Sequence, residues 1–260
     1  MPFIDVKGER FHVQIDGEEG RPALLLSNSL SSDLSMWDDQ TPAWAKHFRV
    51  IRYDQRGHGK SVVSPGPYSI AQLGRDAVAI LDVLGIPRAH WCGLSLGGMV
   101  GMWVLAHAGN RTERAVLANA AAHMGPPDLW NGRMRLARNG GMEATVEPTV
   151  TRWFPQSFRE SAPGTMDRMR AMIRGTPVGG YLASCSAIRD MDQRSAIETI
   201  LTPVLVIIGD KDPATKPADG ELIHRAIRTS EVARLDAAHI SNIEQPEAFE
   251  EVVLRFLRAS

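Results

Sequence analysis

WCGLSLGGMV, residues Trp91 to Val100, decides the fold. The apolar run Trp91 to Leu94 meets a cluster of glycines around Ser95, and from Gly97 to His107 apolar residues recur at helical spacing. Strand, tight turn and helix, with Ser95 at the centre of a G-x-S-x-G pattern (Gly93 to Gly97), describe an elbow that pushes the central side chain out at the carboxyl end of a sheet. Small residues at Gly93 and Gly97 leave room for that turn. The helix that follows points free N–H groups at the same spot, which favours a developing negative charge, and the Leu96 N–H is the first available donor. A serine hydroxyl is a weak nucleophile at neutral pH. This reading therefore requires a histidine to take its proton and a carboxylate to hold that histidine in the right tautomer.

Outward from the elbow, short apolar runs recur, each ended by turn residues: FHVQI, ALLLS, RVIRY, HWCGL, AVLAN, PVLVIIG and EVARL. Helix-length segments such as Ile70 to Leu84 lie between several of them. Val204 to Ile208 lacks polar alternation, as a parallel strand covered on both faces should, whereas FHVQI alternates like an antiparallel edge hairpin. The expected fold class is α/β, a mostly parallel twisted sheet with helices on both faces. From Met124 to Ile197 no strong strand is visible, but Met and Arg recur at helical spacing. Residues 1–123 and 198–260 are thus expected to form one core domain, and residues 124–197 a helical cap inserted into it.

Both missing partners are sought downstream at the same sheet edge. IIGDKDPAT places Asp210 and Asp212 in the loop after a buried strand, and spacing alone does not choose between them. RLDAAHISNIEQP places His239 between the last strand and the C-terminal helix. His12, His47, His107 and His224 fall in strand or helix segments away from that edge. His58, in DQRGHGKS, lies at the edge but precedes the nucleophile. The chain order Ser, Asp, His belongs to this elbow and differs from the two protease orders.

Four motifs in register, DQRGHGKS (Asp54 to Ser61), GLSLGG (Gly93 to Gly98), GDKDPAT (Gly209 to Thr215) and AAHISNIEQPEAF (Ala237 to Phe249), resemble the α/β-hydrolase superfamily over nearly the whole chain. The resemblance implies Ser95 as nucleophile, Asp212 rather than Asp210 as the acid, and His239 as the base. Many members carry His-Gly after the strand that precedes the first oxyanion donor, whereas this chain has Asn28-Ser29, so the resemblance places the second backbone donor at Leu30. LLLSNSLSSDLSMWDDQ (Leu24 to Gln40), GLSLGGMVGMW (Gly93 to Trp103) and HISNIEQP (His239 to Pro246) are similar to the 3-oxoadipate enol-lactonases of aromatic catabolism. That similarity implies a small lactone substrate bearing a carboxylate, no cofactor and no metal. Other hydrolases share the triad: carboxylesterases, carbon–carbon hydrolases of ring-cleavage products and perhydrolases. A ligand receptor on the same fold is the alternative from another class. Ser95 argues against a haloalkane dehalogenase, since that chemistry uses an aspartate nucleophile at this position.

A substrate carboxylate calls for a cation, and arginine binds it bidentately. Between Pro126 and Ala196 there are ten Arg, no Lys and seven acids, a balance of +3 in a chain of net charge −1. DLWNGRMRLA puts Trp130 and Arg133 at the start of the insertion, and TRWFPQ adds Trp153, as candidates to line the pocket mouth. Arginines on helical insertions are ordinarily solvated surface residues, and aromatics there are ordinarily packing.

The rest of the composition excludes more than it identifies. At 260 residues and 43% hydrophobic the chain can bury a large core, and its near-neutral charge offers no general attraction to nucleic acid or anionic membrane. Two cysteines, Cys92 and Cys185, make no disulfide framework or zinc cluster. With no signal-peptide pattern at the start and no apolar run of membrane-spanning length, the expected location is the cytoplasm.

Overall fold

In the computed structural model, which describes residues 3–259, eight strands form one sheet in the order β1-β2-β4-β3-β5-β6-β7-β8. They are β1 (Phe3–Val6), β2 (Glu9–Asp16), β3 (Ala23–Ser27), β4 (Arg49–Tyr53), β5 (Ala89–Leu94), β6 (Thr112–Ala118), β7 (Val204–Gly209) and β8 (Ser230–Leu235). β1 and β2 make an antiparallel hairpin, and β2 runs antiparallel to β4. From β4 to β8 every pairing is parallel. The unbroken apolar run in β7 is buried at all six positions, as a strand covered on both faces must be.

The order of the parallel strands matters for the site. After β3 the chain crosses outward to β4, then returns to place β5 on the other side of β3. The carboxyl ends of β3 and β5 therefore flank the point where strand order reverses, and ligands of open parallel sheets bind in that crevice.

The core helices follow from local sequence. α1 (Thr41–Trp44) is a single turn, and α2 (Ile70–Val83) starts where the Ser69 Oγ accepts the Gln72 N–H at 3.1 Å. Ile70, Leu73, Ala77 and Ile80 form its buried stripe. α3 (Leu96–Ala108) is apolar almost all round, because it lies between β5, β6 and α2. α9 (Pro217–Ala226), α10 (Ser241–Glu244) and α11 (Pro246–Leu257) complete the core helices.

Between β6 and β7 the chain runs through α4 (Pro127–Gly140), α5 (Val146–Trp153), α6 (Gln156–Ser161), α7 (Pro163–Gly175) and α8 (Val178–Asp190), with no named strand among the described residues. α4 packs on α8 and α5 on α7. This helical segment is tied to the core at several points. A Cβ added to Gly180 on α8 would lie 1.9 Å from the Gly57 carbonyl oxygen, so two glycine backbones meet directly there. The Tyr68 N–H donates to the Ala183 carbonyl at 3.2 Å, and the Gln193 N–H to that of Ala122 at 2.8 Å.

Candidate active site

Ser95 sits between β5 and α3 with φ 57° and ψ −116°, a backbone conformation that costs a non-glycine residue strain. Two main-chain bonds hold it: its N–H donates to the Ala118 carbonyl at 2.9 Å, and its carbonyl accepts the Met99 N–H at 2.9 Å. The flanking glycines are required by contact. A Cβ on Gly93 would lie 2.2 Å from the Gly97 carbonyl oxygen, and one on Gly97 would lie 2.0 Å from that of Ser27.

The structure brings together Ser95, His239 and Asp212, each from the carboxyl end of a different parallel strand. Ser95 Oγ is 2.9 Å from His239 Nε2, and His239 Nδ1 is 2.8 Å from Asp212 Oδ2. A carboxylate can only accept, so Nδ1 carries the proton and donates to Asp212, leaving Nε2 free to accept from the serine hydroxyl. All three residues are buried.

Asp212 is held on both oxygens. Oδ1 accepts the N–H groups of Ala214 (2.8 Å) and Thr215 (3.0 Å), while Oδ2 accepts the Thr215 hydroxyl (2.7 Å) and the Asn119 amide (3.0 Å) besides His239. Burial pushes its carboxyl upward, but the neighbouring His239 and the Thr215 and Asn119 donors outweigh it, and the group stays below the ordinary carboxylate value. Asp210, the alternative left open by spacing, is exposed and accepts from Arg234 Nε at 2.8 Å. Sequence reasoning missed Asn119, which has φ 46°, donates to both Asp212 and the Ala238 carbonyl, and is fixed by the Ser241 hydroxyl at 2.6 Å. A lone Asn after an apolar strand carries no distinctive signal.

Leu96 is the first residue of α3, so its N–H has no helical carbonyl one turn behind it. Leu30 lines the cavity beside Ser95 and belongs to a turn in which the Ser32 N–H and Oγ both donate to the Ser29 carbonyl, at 3.3 and 2.7 Å. Asn28 is fixed through its whole amide group: Nδ2 donates to the Tyr53 carbonyl at 2.8 Å, and Oδ1 accepts Trp37 Nε1 at 2.9 Å.

The cavity above Ser95 opens to solvent and, with its mouth included, has about 450 Å³ of atom-free space. Trp130, Arg133 and Trp153 line it, together with Thr149, Arg152 and Tyr181, which sequence reasoning did not single out. The Arg133 guanidinium lies over the Trp130 ring at 4.4 Å, and one Arg152 Nη donates to Thr149 Oγ1 at 2.9 Å. Trp130 Nε1 donates to the Met124 carbonyl at 3.0 Å, and the Trp153 carbonyl accepts the N–H of His239 at 3.1 Å.

Position and charge pairing together mark these two arginines: they alone of the ten in the segment line the cavity, and five of the others are in ion pairs. Arg168, Arg170, Arg174, Arg189 and Arg194 pair with Asp39, Glu147, Glu143, Asp190 and Asp192. Among the described residues no carboxylate lies within 4 Å of Arg133 or Arg152. Burial pushes both guanidinium groups down, and for Arg152, where the nearby Arg133 charge is the second cause, the value falls to about 10. Two desolvated cations thus face a cavity that supplies them no counter-ion. Arg135 and Arg138, on the same helix as Arg133, are exposed. Among the described residues no group of three or more His, Cys, Asp or Glu side chains is placed to hold a metal ion, and no helix is long and apolar enough to cross a membrane.

The family model described as "alpha/beta hydrolase fold" matches residues 22–246. The chain is 41% identical to 3-oxoadipate enol-lactonase 2 of Acinetobacter baylyi, across 91% of this chain and 89% of that one. It is 36% identical to 3-oxoadipate enol-lactonase 1 of the same organism, across 97% and 95%. Its fold superimposes on the crystal structure of the enol-lactonase from Burkholderia xenovorans LB400 with a TM-score of 0.98 at 43% identity, covering 99% of this chain and all of that one.

Proposed function

The chain belongs to the alpha/beta hydrolase family and is a carboxylic ester hydrolase; from that premise we propose that Ser95, His239 and Asp212 open the lactone ring of 3-oxoadipate enol-lactone to give 3-oxoadipate. One observation carries the reading: a connected Ser–His–Asp chain opens on a cavity whose only unpaired charges among the described residues are two half-buried arginines. The chemistry suits an acyl group that carries its own carboxylate.

In this reading His239 Nε2 takes the Ser95 proton as Oγ attacks the lactone carbonyl, and the Leu30 and Leu96 N–H groups receive the oxyanion. The ring C–O bond then breaks. The electron pair leaves on an enolate oxygen, a better leaving group than an alkoxide; the His239 imidazolium gives that oxygen its proton, and the resulting enol tautomerises to the ketone. Water, deprotonated by His239, attacks the acyl-enzyme and releases the second carboxylate and free Ser95. Asp212 stays ionised and stabilises the imidazolium at each stage. Arg133 and Arg152 hold the carboxymethyl group by charge-assisted hydrogen bonds, with Trp130 and Trp153 walling the ring. Residues 124–197 serve as the cap over the core formed by 1–123 and 198–260, and the enzyme acts in the cytoplasm on a small molecule, without cofactor or metal.

A rate comparison tests it. The enol-lactone should be turned over with a kcat/KM well above that for a neutral phenyl ester and for a ring-cleavage dienoate. Preference for the phenyl ester would return the protein to the general carboxylesterases, and preference for the dienoate would make it a carbon–carbon bond hydrolase.

A further inference from the structure

His58, Gln55 and Ser32 are buried polar residues that the mechanism above leaves without a task, and all three close on the loop that carries Leu30. Gln55 Nε2 donates to the Asn28 carbonyl at 2.6 Å, and the Ser31 N–H donates to His58 Nε2 at 3.1 Å. The loop is therefore gripped on both sides of Leu30 from one motif, DQRGHGKS. Between those grips the Ser29 carbonyl accepts the Ser32 hydroxyl at 2.7 Å and the Ser32 N–H at 3.3 Å.

Peptide planarity turns these bonds into a statement about the oxyanion donor. The Ser29 carbonyl and the Leu30 N–H belong to one planar trans unit, so holding the carbonyl toward Ser32 directs the N–H the opposite way. The next peptide is set by His58. Ser31 has φ 64° in the third position of a four-residue turn, a conformation that type II turns require and that Gly or Asn ordinarily supplies. A serine stays there because its N–H has a buried acceptor. His58 can accept only as the neutral ring protonated on Nδ1, and Nδ1 has the Arg56 carbonyl at 3.2 Å to receive that proton. Burial holds the imidazole below its ordinary value, against the Arg56 carbonyl and the Asp54 and Asp33 carboxylates that favour the charged ring.

We propose that His58 and Ser32 are positioning residues that aim the Leu30 N–H at the oxyanion, His58 from the Ser31 peptide and Ser32 from the Ser29 carbonyl. The inference rests on the reading of Leu30 as an oxyanion donor. It assigns the histidine of DQRGHGKS a role in transition-state stabilisation without contact with substrate. Because the oxyanion exists only in the transition state, mis-aiming its donor lowers kcat and leaves KM in place.

The test uses His58→Leu, His58→Gln and Ser32→Ala, with wild type and Ser95→Ala alongside, measured for kcat, KM and thermal midpoint on the enol-lactone. The glutamine amide oxygen reaches where Nε2 stands, so it restores the acceptor. Complete loss of one oxyanion donor costs about 100- to 1,000-fold, so His58→Leu should lose about 10- to 100-fold in kcat at unchanged KM. His58→Gln should recover most of that loss, and Ser32→Ala should lose several-fold in kcat alone. If His58→Leu does not fold, the Ser32→Ala split between kcat and KM decides in its place. Unchanged kcat in both His58→Leu and Ser32→Ala overturns the proposal, as does an equal loss in the leucine and glutamine variants that merely follows their thermal midpoints. Turnover by Ser95→Ala would instead sink the catalytic reading itself, which separates the two failures.

Discussion

Arg152→Met should make the protein more stable and a worse enzyme for its anionic substrate. Burial first, and the Arg133 charge second, bring the Arg152 guanidinium down to about 10, well below the value of a free side chain. A cation whose folded value is depressed costs stability at every pH below that value, and the cost fades only as the pH rises from about 10 toward the unfolded value. At about 1.36 kcal/mol per pKa unit the cost at neutral pH reaches about 3 kcal/mol. Methionine keeps an unbranched stem in the same space and removes the charge. For a chain of this size about 2 °C accompanies each kcal/mol, so differential scanning calorimetry at pH 7 should show a rise of about 4–6 °C. A hydrogen bond to a charged group contributes about 1.5–3 kcal/mol, so kcat/KM on the carboxylate-bearing lactone should drop about 10- to 150-fold while a neutral phenyl ester is nearly unaffected. A lower midpoint together with equal losses on both substrates would refute the reasoning, since it would make Arg152 a structural prop of the helical segment.

Asp212→Asn should lower kcat by about 10,000-fold, the loss known for one protease triad, while Asp210→Asn, which touches only an exposed ion pair with Arg234, should stay within about twofold in the same steady-state assay. Because the Asp212 carboxyl titrates below its ordinary value, its stabilising contribution is present above about pH 4 and is lost as the pH falls through the folded value; midpoints of wild type and Asp212→Asn should therefore converge as the pH falls below about 4. Gly180→Ala should cost about 1–3 kcal/mol by forcing α8 off the Gly57 backbone, although Ala is the better helix former. Gly132→Ala on α4, where the nearest atom is a flexible Arg135 nitrogen at 3.9 Å, should gain about 0.8–1 kcal/mol; chemical denaturation of both variants checks the contrast.

What sequence made legible follows the physics of each feature. The parallel core strands are legible because strands buried on both faces cannot alternate, and α2 because its apolar spacing is a local signal. Ser95 was readable because close backbone approach demands Gly93 and Gly97 around it. The choice of Asp212 over Asp210 was not readable from spacing, since both follow β7 within three residues; it depends on which carboxylate the loop turns inward, and Ala214, Thr215 and Asn119 accomplish that. Arg152, next to the conspicuous Trp153, carries no signal of its own, because a single arginine on a helical insertion has the same sequence signature as solvated surface and only the fold shows its missing counter-ion. Chain order identifies the base of a triad but is blind to residues that shape the oxyanion loop, and so carries no signal for His58.

The central claim, that Ser95 carries the acyl group of the enol-lactone, is tested most directly by rapid-quench mass spectrometry of the enzyme with that substrate. Acid-quenched wild type should show a transient adduct with the mass of the ring-opened acyl group on the peptide containing Ser95, absent from Ser95→Ala. Turnover with no adduct on that peptide, or an adduct on another residue, would contradict it.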